Sequence, residues 1–560
     1  TRCTSSAASD VYKRQEDMTF IKSNDPGLDQ LSPAERKNLM AMIKCGVSRR
    51  DFMSYMMAMG ATIAASSALF TGLSDAHAAT PKRGGKLIMA GDQHGPADTL
   101  DPALYTAAID YFRGRMFYNS LTRLTDSLGW EPELAEEVIP NSNATVWTFK
   151  IRKGITFHDG KTLTADDVIY SMNRHLGSDS ISKASSLVSM VNAWEKVNDY
   201  EVRAVLATPN ADLPIALGTF HFKIIQNGQT DFSTTVGTGP FKLKEFKPGV
   251  RAIGVHNDNY WEEGAYLDEI EHFGIGDSTA RLNAFLAGDV DAMVNVPAKA
   301  IPTVEGTAGK ELWSLASGRY INIVPRQDHS DSNNPDLWRA MQYLQDRQRI
   351  VKGVLKGQGG LGNDHPIGPA YFDHSPDIPQ RELDLDKAAF HFKKSGIGNT
   401  PIKVVAAEVG PGAVDQCLFM QREGRKIGMN FDIQQVTTDG YWGAVWLKEP
   451  ICVATWNMRP TANIMMTLAF HSEAAWNETR WKNGQFDQLL EDVRGVTDAG
   501  KRKQMYHDLQ MLIHEGNGMA IPAHLNYVDG VASYVKGRTQ VPLNNFGGAE
   551  SPGFLFRDDV

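Results

Sequence analysis

From Thr80 onward the chain runs for about 480 residues with no internal repeat and no low-complexity tract, which is more than one hydrophobic core serves, so two lobes or more are expected. The composition, 42% apolar and 22% charged, is that of an ordered globular protein. Within it the apolar period changes from segment to segment. Lys86-Leu-Ile-Met-Ala90 is a short apolar run between glycines and reads as a buried strand. Val146 to Arg152 alternates, with Trp147, Phe149 and Ile151 on one face, which predicts a half-buried strand. Lys153-Gly154 then turns the chain into a second short strand, Ile155–Phe157. Thr164 is placed to cap a helix whose first turn carries Asp166 and Asp167, where carboxylates complement the helix dipole. Helical spacing returns at 386–394 and 487–493, and strands are expected at 402–407 and 430–436. That alternation predicts a parallel or mixed α/β sheet.

The segment before this region has a different character. Ser48-Arg49-Arg50-Asp51-Phe52-Met53 precedes a modest apolar stretch that ends in Asp75-Ala76-His77-Ala78-Ala79. Paired arginines, an apolar run and an Ala-x-Ala site form the pattern of a twin-arginine export signal, with Arg49 and Arg50 as its signature and 48–78 as its extent. The run is rich in Ala, Gly, Ser and Thr and falls short of the roughly 20 strongly apolar residues of a membrane span. Residues 1–47 read as a disordered or non-native preface joined to an extended n-region. Beyond the signal the net charge is about −10, so clustered cations for nucleic acid or anionic lipid are not expected. Cys417 and Cys452 are the two cysteines past the signal; in an oxidising compartment they can pair or remain as buried thiols.

Several motifs follow one another in order. Trp130-Glu-Pro-Glu-Leu-Ala-Glu136 leads to Thr145-Val-Trp-Thr-Phe-Lys-Ile-Arg-Lys-Gly-Ile-Thr-Phe-His-Asp-Gly160 and Leu163-Thr-Ala-Asp-Asp-Val168 with Ser171. Leu100-Asp-Pro102, Gly237-Thr-Gly-Pro-Phe241, Asn259-Tyr-Trp261, Ala287-Gly-Asp-Val-Asp-Ala292, Arg339-Ala340 with Asp346-Arg347, and Asp384-Leu-Asp-Lys-Ala388 complete the set. Together they resemble the family 5 extracellular solute-binding proteins, the dipeptide, oligopeptide and nickel binding components of ABC importers. The resemblance implies an α/β, two-lobe periplasmic binding protein fold of the class II, cluster C type. Lobe one would comprise 80–312 plus 523–560, with an extra subdomain at about 111–229, and lobe two 313–522. It further implies a periplasmic monomer that captures a ligand between its lobes, uses no cofactor and delivers the ligand to an inner-membrane permease. A ligand sensor, or a metal-chelate or haem binder of the same fold, is the alternative.

The residues give little support to enzymatic chemistry. His158 beside Asp159 sits in a turn without a second pair at metal-ligand spacing, no Gly-x-Ser-x-Gly elbow occurs, and Gly237-Thr-Gly-Pro lacks the Lys-Ser/Thr of a P-loop. Specificity would instead come from cleft side chains. Where peptide-binding relatives are expected to carry an acidic residue after a tryptophan, Thr455-Trp456-Asn457-Met458-Arg459-Pro460-Thr461 presents Arg459. An arginine beside Trp456 can hold a ligand carboxylate through two hydrogen bonds, or stack on the indole, so a short peptide or a carboxylate-bearing metabolite is expected. Aromatic residues gather nearby at Tyr441, Trp442, Trp446, Trp456, Trp476 and Trp481, of which Trp442 and Trp456 are the candidate ligand walls. By resemblance, Asp92 and Gln93 after the first strand, Asn457, Tyr111, Tyr320 and Asn322 complete the candidate set.

Overall fold

Glycines on either side of an apolar run leave a buried strand, β1 (Lys86–Gly91), in which Leu87 and Met89 are fully buried. The computed structural model describes residues 81–560 apart from 127, 438–440 and 497. Arg49, Arg50 and the whole export segment lie outside the described residues. Helix α1 (Ala108–Phe117) follows β1. Next comes an antiparallel sheet of β2 (Ala135–Pro140), β3 (Val146–Ile151), β4 (Val191–Asn198) and β5 (Glu201–Leu206), in the order β2-β3-β5-β4. The alternation in β3 is realised as expected: Trp147, Phe149 and Ile151 are buried and their neighbours half-buried. With Val168 and Met172 of helix α2 (Ala165–Asn173) they form a separate hydrophobic core. The second short strand expected at Ile155–Phe157 is reduced to a single bridge between Thr156 and Thr162, because the turn that follows closes too soon for a ladder.

The large sheet adds β6 (Phe241–Lys247), β7 (Arg251–His256), β8 (Glu269–Gly274), β9 (Ala292–Met293), β10 (Lys310–Pro325), β11 (Gly359–Leu361), β12 (Ile402–Ala406), β13 (Phe431–Gln435), β14 (Ile451–Trp456) and β15 (Ala520–Ala532). Its order is β13-β12-β14-β10-β15-β9-β1-β8-β7-β6, with β11 on β15. Pairing is mixed: β1 runs parallel to β8 and β9, and β12 to β13, while β10 is antiparallel to β14 and β15. The two helices expected from spacing are α3 (Leu385–Ser395) and, beyond α4 (Ala462–Phe470), α5 (Gly484–Asp492).

Two long strands hold this architecture together. The first part of β10 pairs with the end of β15, which borders β9; after a register break between Leu315 and Arg319, the second part of β10 borders β14. Each half-sheet has its own core, one around Leu87, Phe112, Ile270 and Val531, the other around Val404, Val453, Met465 and Ile521. At the break, a Cβ on Gly318 would stand 2.3 Å from the Tyr371 ring, so the strand crosses there only without a side chain.

The ordered motifs turn out to be joints. Asp167 reaches back from the first turn of α2 to accept from the Thr164 N–H at 2.9 Å. Asp101 takes both amino groups of Arg174, at 2.8 and 2.6 Å. Gly237 and Gly239 press on the end of α1, where added Cβ atoms would lie 1.9 Å from the Phe117 carbonyl oxygen and 2.4 Å from its carbon. His158 is bound into the same joint, its Nε2 3.0 Å from the Gly239 carbonyl oxygen and its Nδ1 accepting from the Gly237 N–H at 3.3 Å. Cys417 and Cys452 are both free and buried.

Burial pushes the His158 imidazole down to about 4. An unfolded imidazole titrates near 6.5, so between those values the unfolded chain binds a proton that the native joint excludes. Acidification from pH 7 to pH 5 should therefore cost up to about 1.4 kcal/mol per pH unit below 6.5 on this residue's account. Urea midpoints at the two pH values should differ less in His158→Gln than in the parent protein; equal differences would rule out the joint as the source.

Candidate functional site

Between the half-sheets lies a cavity of about 450 Å³, within the range of small-molecule sites. One wall comes from α1 and the chain around it. Tyr111 stacks on Phe220 with centroids 4.2 Å apart and planes within 12°, giving a flat aromatic face. Burial pushes the Tyr111 phenol up to about 12, partly offset by Arg459, so it is a neutral donor. Gln93 lines the cavity and accepts from the Ala108 N–H at 3.2 Å, which satisfies the start of α1 where Ala107 offers no side-chain cap.

The opposite wall is the loop from β14 to α4. Thr461 caps α4 by accepting from the Ile464 N–H at 3.1 Å, and this fixes the direction in which Asn457 and Arg459 leave the strand. The Arg459 N–H donates to the Tyr371 hydroxyl at 3.1 Å. Its guanidinium carbon lies 5.6 Å from the centre of the Trp456 ring, and one amino group donates to the Asn457 carbonyl at 3.2 Å. Among the described residues no carboxylate pairs with Arg459, and its remaining donors are free for a ligand.

Of the residues expected from sequence, the structure brings Gln93, Tyr111, Asn457 and Arg459 together around the cavity. Trp456, Tyr320 and Asn322 do not line it; they form the layer behind. Tyr320 and Trp456 are register partners whose rings lie 6.4 Å apart and nearly parallel. Asn322 is fully buried and donates to Glu478 at 2.8 Å, whose carboxyl burial pushes up to about 7. Asp92 also stands back from the cavity, holding Asn295, which lines it, through a 2.7 Å bond from the Asn295 amide. Trp442 lies outside the cavity on the surface, 45% exposed and edge-on to Trp446. The indole that reaches the cavity is Trp476, packed against Trp456 at 6.1 Å.

Two cavity cations carry no signal in the sequence. Arg319 follows the β10 register break and lies over the Tyr527 ring at 4.8 Å. Lys183, exposed in a serine-rich loop, stands at the same cavity.

Residues 129–488 match the family model described as bacterial extracellular solute-binding proteins, family 5 Middle. The chain belongs to this family. Oligopeptide-binding protein AppA of Bacillus subtilis (strain 168) is 27% identical over 500 residues, covering 80% of this chain and 89% of its own. Heme-binding protein A of Haemophilus influenzae is 24% identical over 485 residues, covering 79% and 88%. The solved structure of DppA from Helicobacter pylori, in complex with the peptide STSA, superposes with a TM-score of 0.68 at 22% identity, over 85% of this chain and 99% of that one. The two-lobe fold of periplasmic binding proteins is thus shared, and the protein has the substrate-binding role of the family 5 proteins, which are binding proteins rather than enzymes. Among the described residues no helix is long and apolar enough to cross a membrane.

Proposed function

We propose that this protein, exported by the twin-arginine route through Arg49 and Arg50, captures a carboxylate-bearing small metabolite or short peptide in the periplasm as a monomer. In this reading lobe one comprises 80–312 plus 523–560, with the subdomain at about 111–229, and lobe two comprises 313–522. Closure about the crossing strands β10 and β15 encloses the ligand and forms the surface that an inner-membrane ABC permease recognises. The observation that carries the reading is Arg459: a planar guanidinium at the cavity, backed by Trp456 and without a protein carboxylate, is suited to a two-bonded pair with a ligand carboxylate.

A thermal-shift screen of the purified protein against di- and tripeptides, N-acyl amino acids, their amides and nickel chelates tests it. Carboxylate-bearing compounds should stabilise the protein, by about 2.7 kcal/mol at 100 times their dissociation constant. Stabilisation by the amides as strongly as by the parent acids would refute the assignment.

A further inference from the structure

The charge around the cavity is all of one sign. Lys183, Arg319 and Arg459 line it, and no aspartate or glutamate does. Among the described residues none of the three takes part in an ion pair, whereas Arg113 pairs with Asp98 at 2.7 Å and Arg115 with Glu550 at 2.6 Å. Arg319 is the more exacting case. Its Nε is buried without a hydrogen-bond partner, and its guanidinium is confined against the Tyr527 ring. The Tyr527 phenol is pushed up by burial and drawn back by the charges of both Arg319 and Arg459.

Both guanidiniums are half-buried at the cavity and present donors to whatever enters it, and no protein carboxylate answers either of them. One carboxylate engaged two-fold with Arg459 leaves Arg319 unanswered. Resting on the Arg459 reading above, we infer that the ligand carries two anionic groups, a dicarboxylic acid of about dipeptide size without a primary amine, one carboxylate on Arg459 and the other on Arg319, with Lys183 at the rim. A free ammonium group has no acidic partner in this lining and would face three cations, so a zwitterionic dipeptide is disfavoured.

Calorimetric titration with N-succinyl-leucine and N-acetyl-leucine separates one carboxylate from two on a common scaffold. The parent protein should bind the succinyl compound at least about tenfold more tightly. Arg319→Gln should reduce that ratio to about twofold or less while leaving N-acetyl-leucine binding within about threefold of the parent. Equal affinities in the parent protein, or an Arg319→Gln variant that weakens both compounds alike, would overturn the inference. If N-acetyl-leucine binds and Arg459→Gln abolishes that binding, but the second carboxylate adds nothing, the inference falls and the Arg459 reading stands. If neither acid binds while leucyl-leucine does, both fall.

Discussion

Asp364→Ala is expected to destabilise the protein by about 3 to 5 kcal/mol, the loss typical when one partner of a buried ionic group is removed. Asp364 is fully buried. Its carboxylate accepts from one Arg347 amino group at 2.8 and 2.7 Å, from Arg381 at 2.6 Å and from the Ile521 N–H at 2.9 Å. Burial alone would raise its pKa, yet Arg347 and Arg381 hold the carboxyl below the usual range, so it is ionised at neutral pH. Both arginine side chains are themselves within 3% of complete burial. Alanine would leave Arg347 desolvated with no anion and Arg381 with only the exposed Glu515 carboxylate at 3.5 Å, and would free the Ile521 N–H at the start of β15. Asp386→Ala, at an exposed carboxylate on α3, should stay within about 0.5 kcal/mol and serves as the control. Chemical denaturation of both variants reads the difference; matching midpoints would show that the pocket absorbs the missing charge by hydration or rearrangement.

Arg347 belongs to the Asp346-Arg347 motif, and its case shows what the sequence could and could not convey. Motif order and period were enough for the mixed sheet, for β3 with its buried aromatic face and for the capped helix α2, because each rests on local chemistry. Which buried face meets the other lobe is not local. Tyr320 and Asn322 share one face of β10, and that face is packed against Trp456, His524 and Glu478. Arg319, one residue earlier, points to the other side and reaches the cavity. Successive strand residues alternate faces, so a candidate chosen one position away falls on the wrong side of the sheet. The bulge between Leu315 and Arg319 resets that alternation, and nothing in Ser314-Leu-Ala-Ser-Gly-Arg319 announces it. Trp442 and Trp476 differ for a similar reason. Both are exposed indoles in an aromatic-rich stretch, and only the path of the loop after α4 brings Trp476 to the cavity. Arg459 is legible through its departure from the family pattern, standing after Trp456 where peptide-binding relatives are expected to carry an acidic residue, and the structure places it at the cavity.

The second large effect is expected on binding. Arg459→Ala should weaken a carboxylate ligand by about 2 to 5 kcal/mol, which is roughly 30-fold to several thousand-fold in dissociation constant. The size follows from preorganisation. The Arg459 main chain is tied to Tyr371, its guanidinium rests on Trp456, and Trp456 is 4% exposed against a Tyr320 that is fully buried, so the plane of the donors is set before any ligand arrives. A carboxylate meeting that plane gains two charge-assisted bonds without ordering a flexible side chain. Arg459→Lys separates charge from geometry: the ammonium keeps the attraction but loses the fork, so an intermediate loss is expected, whereas a purely long-range charge effect would leave it near the parent. Titrating the same ligand as its primary amide completes the argument. The amide should bind the parent protein weakly and respond little to Arg459→Ala, since the group it lacks is the one the arginine holds; an equal loss for acid and amide would mean that Arg459 shapes the wall of the cleft rather than reading the ligand's charge.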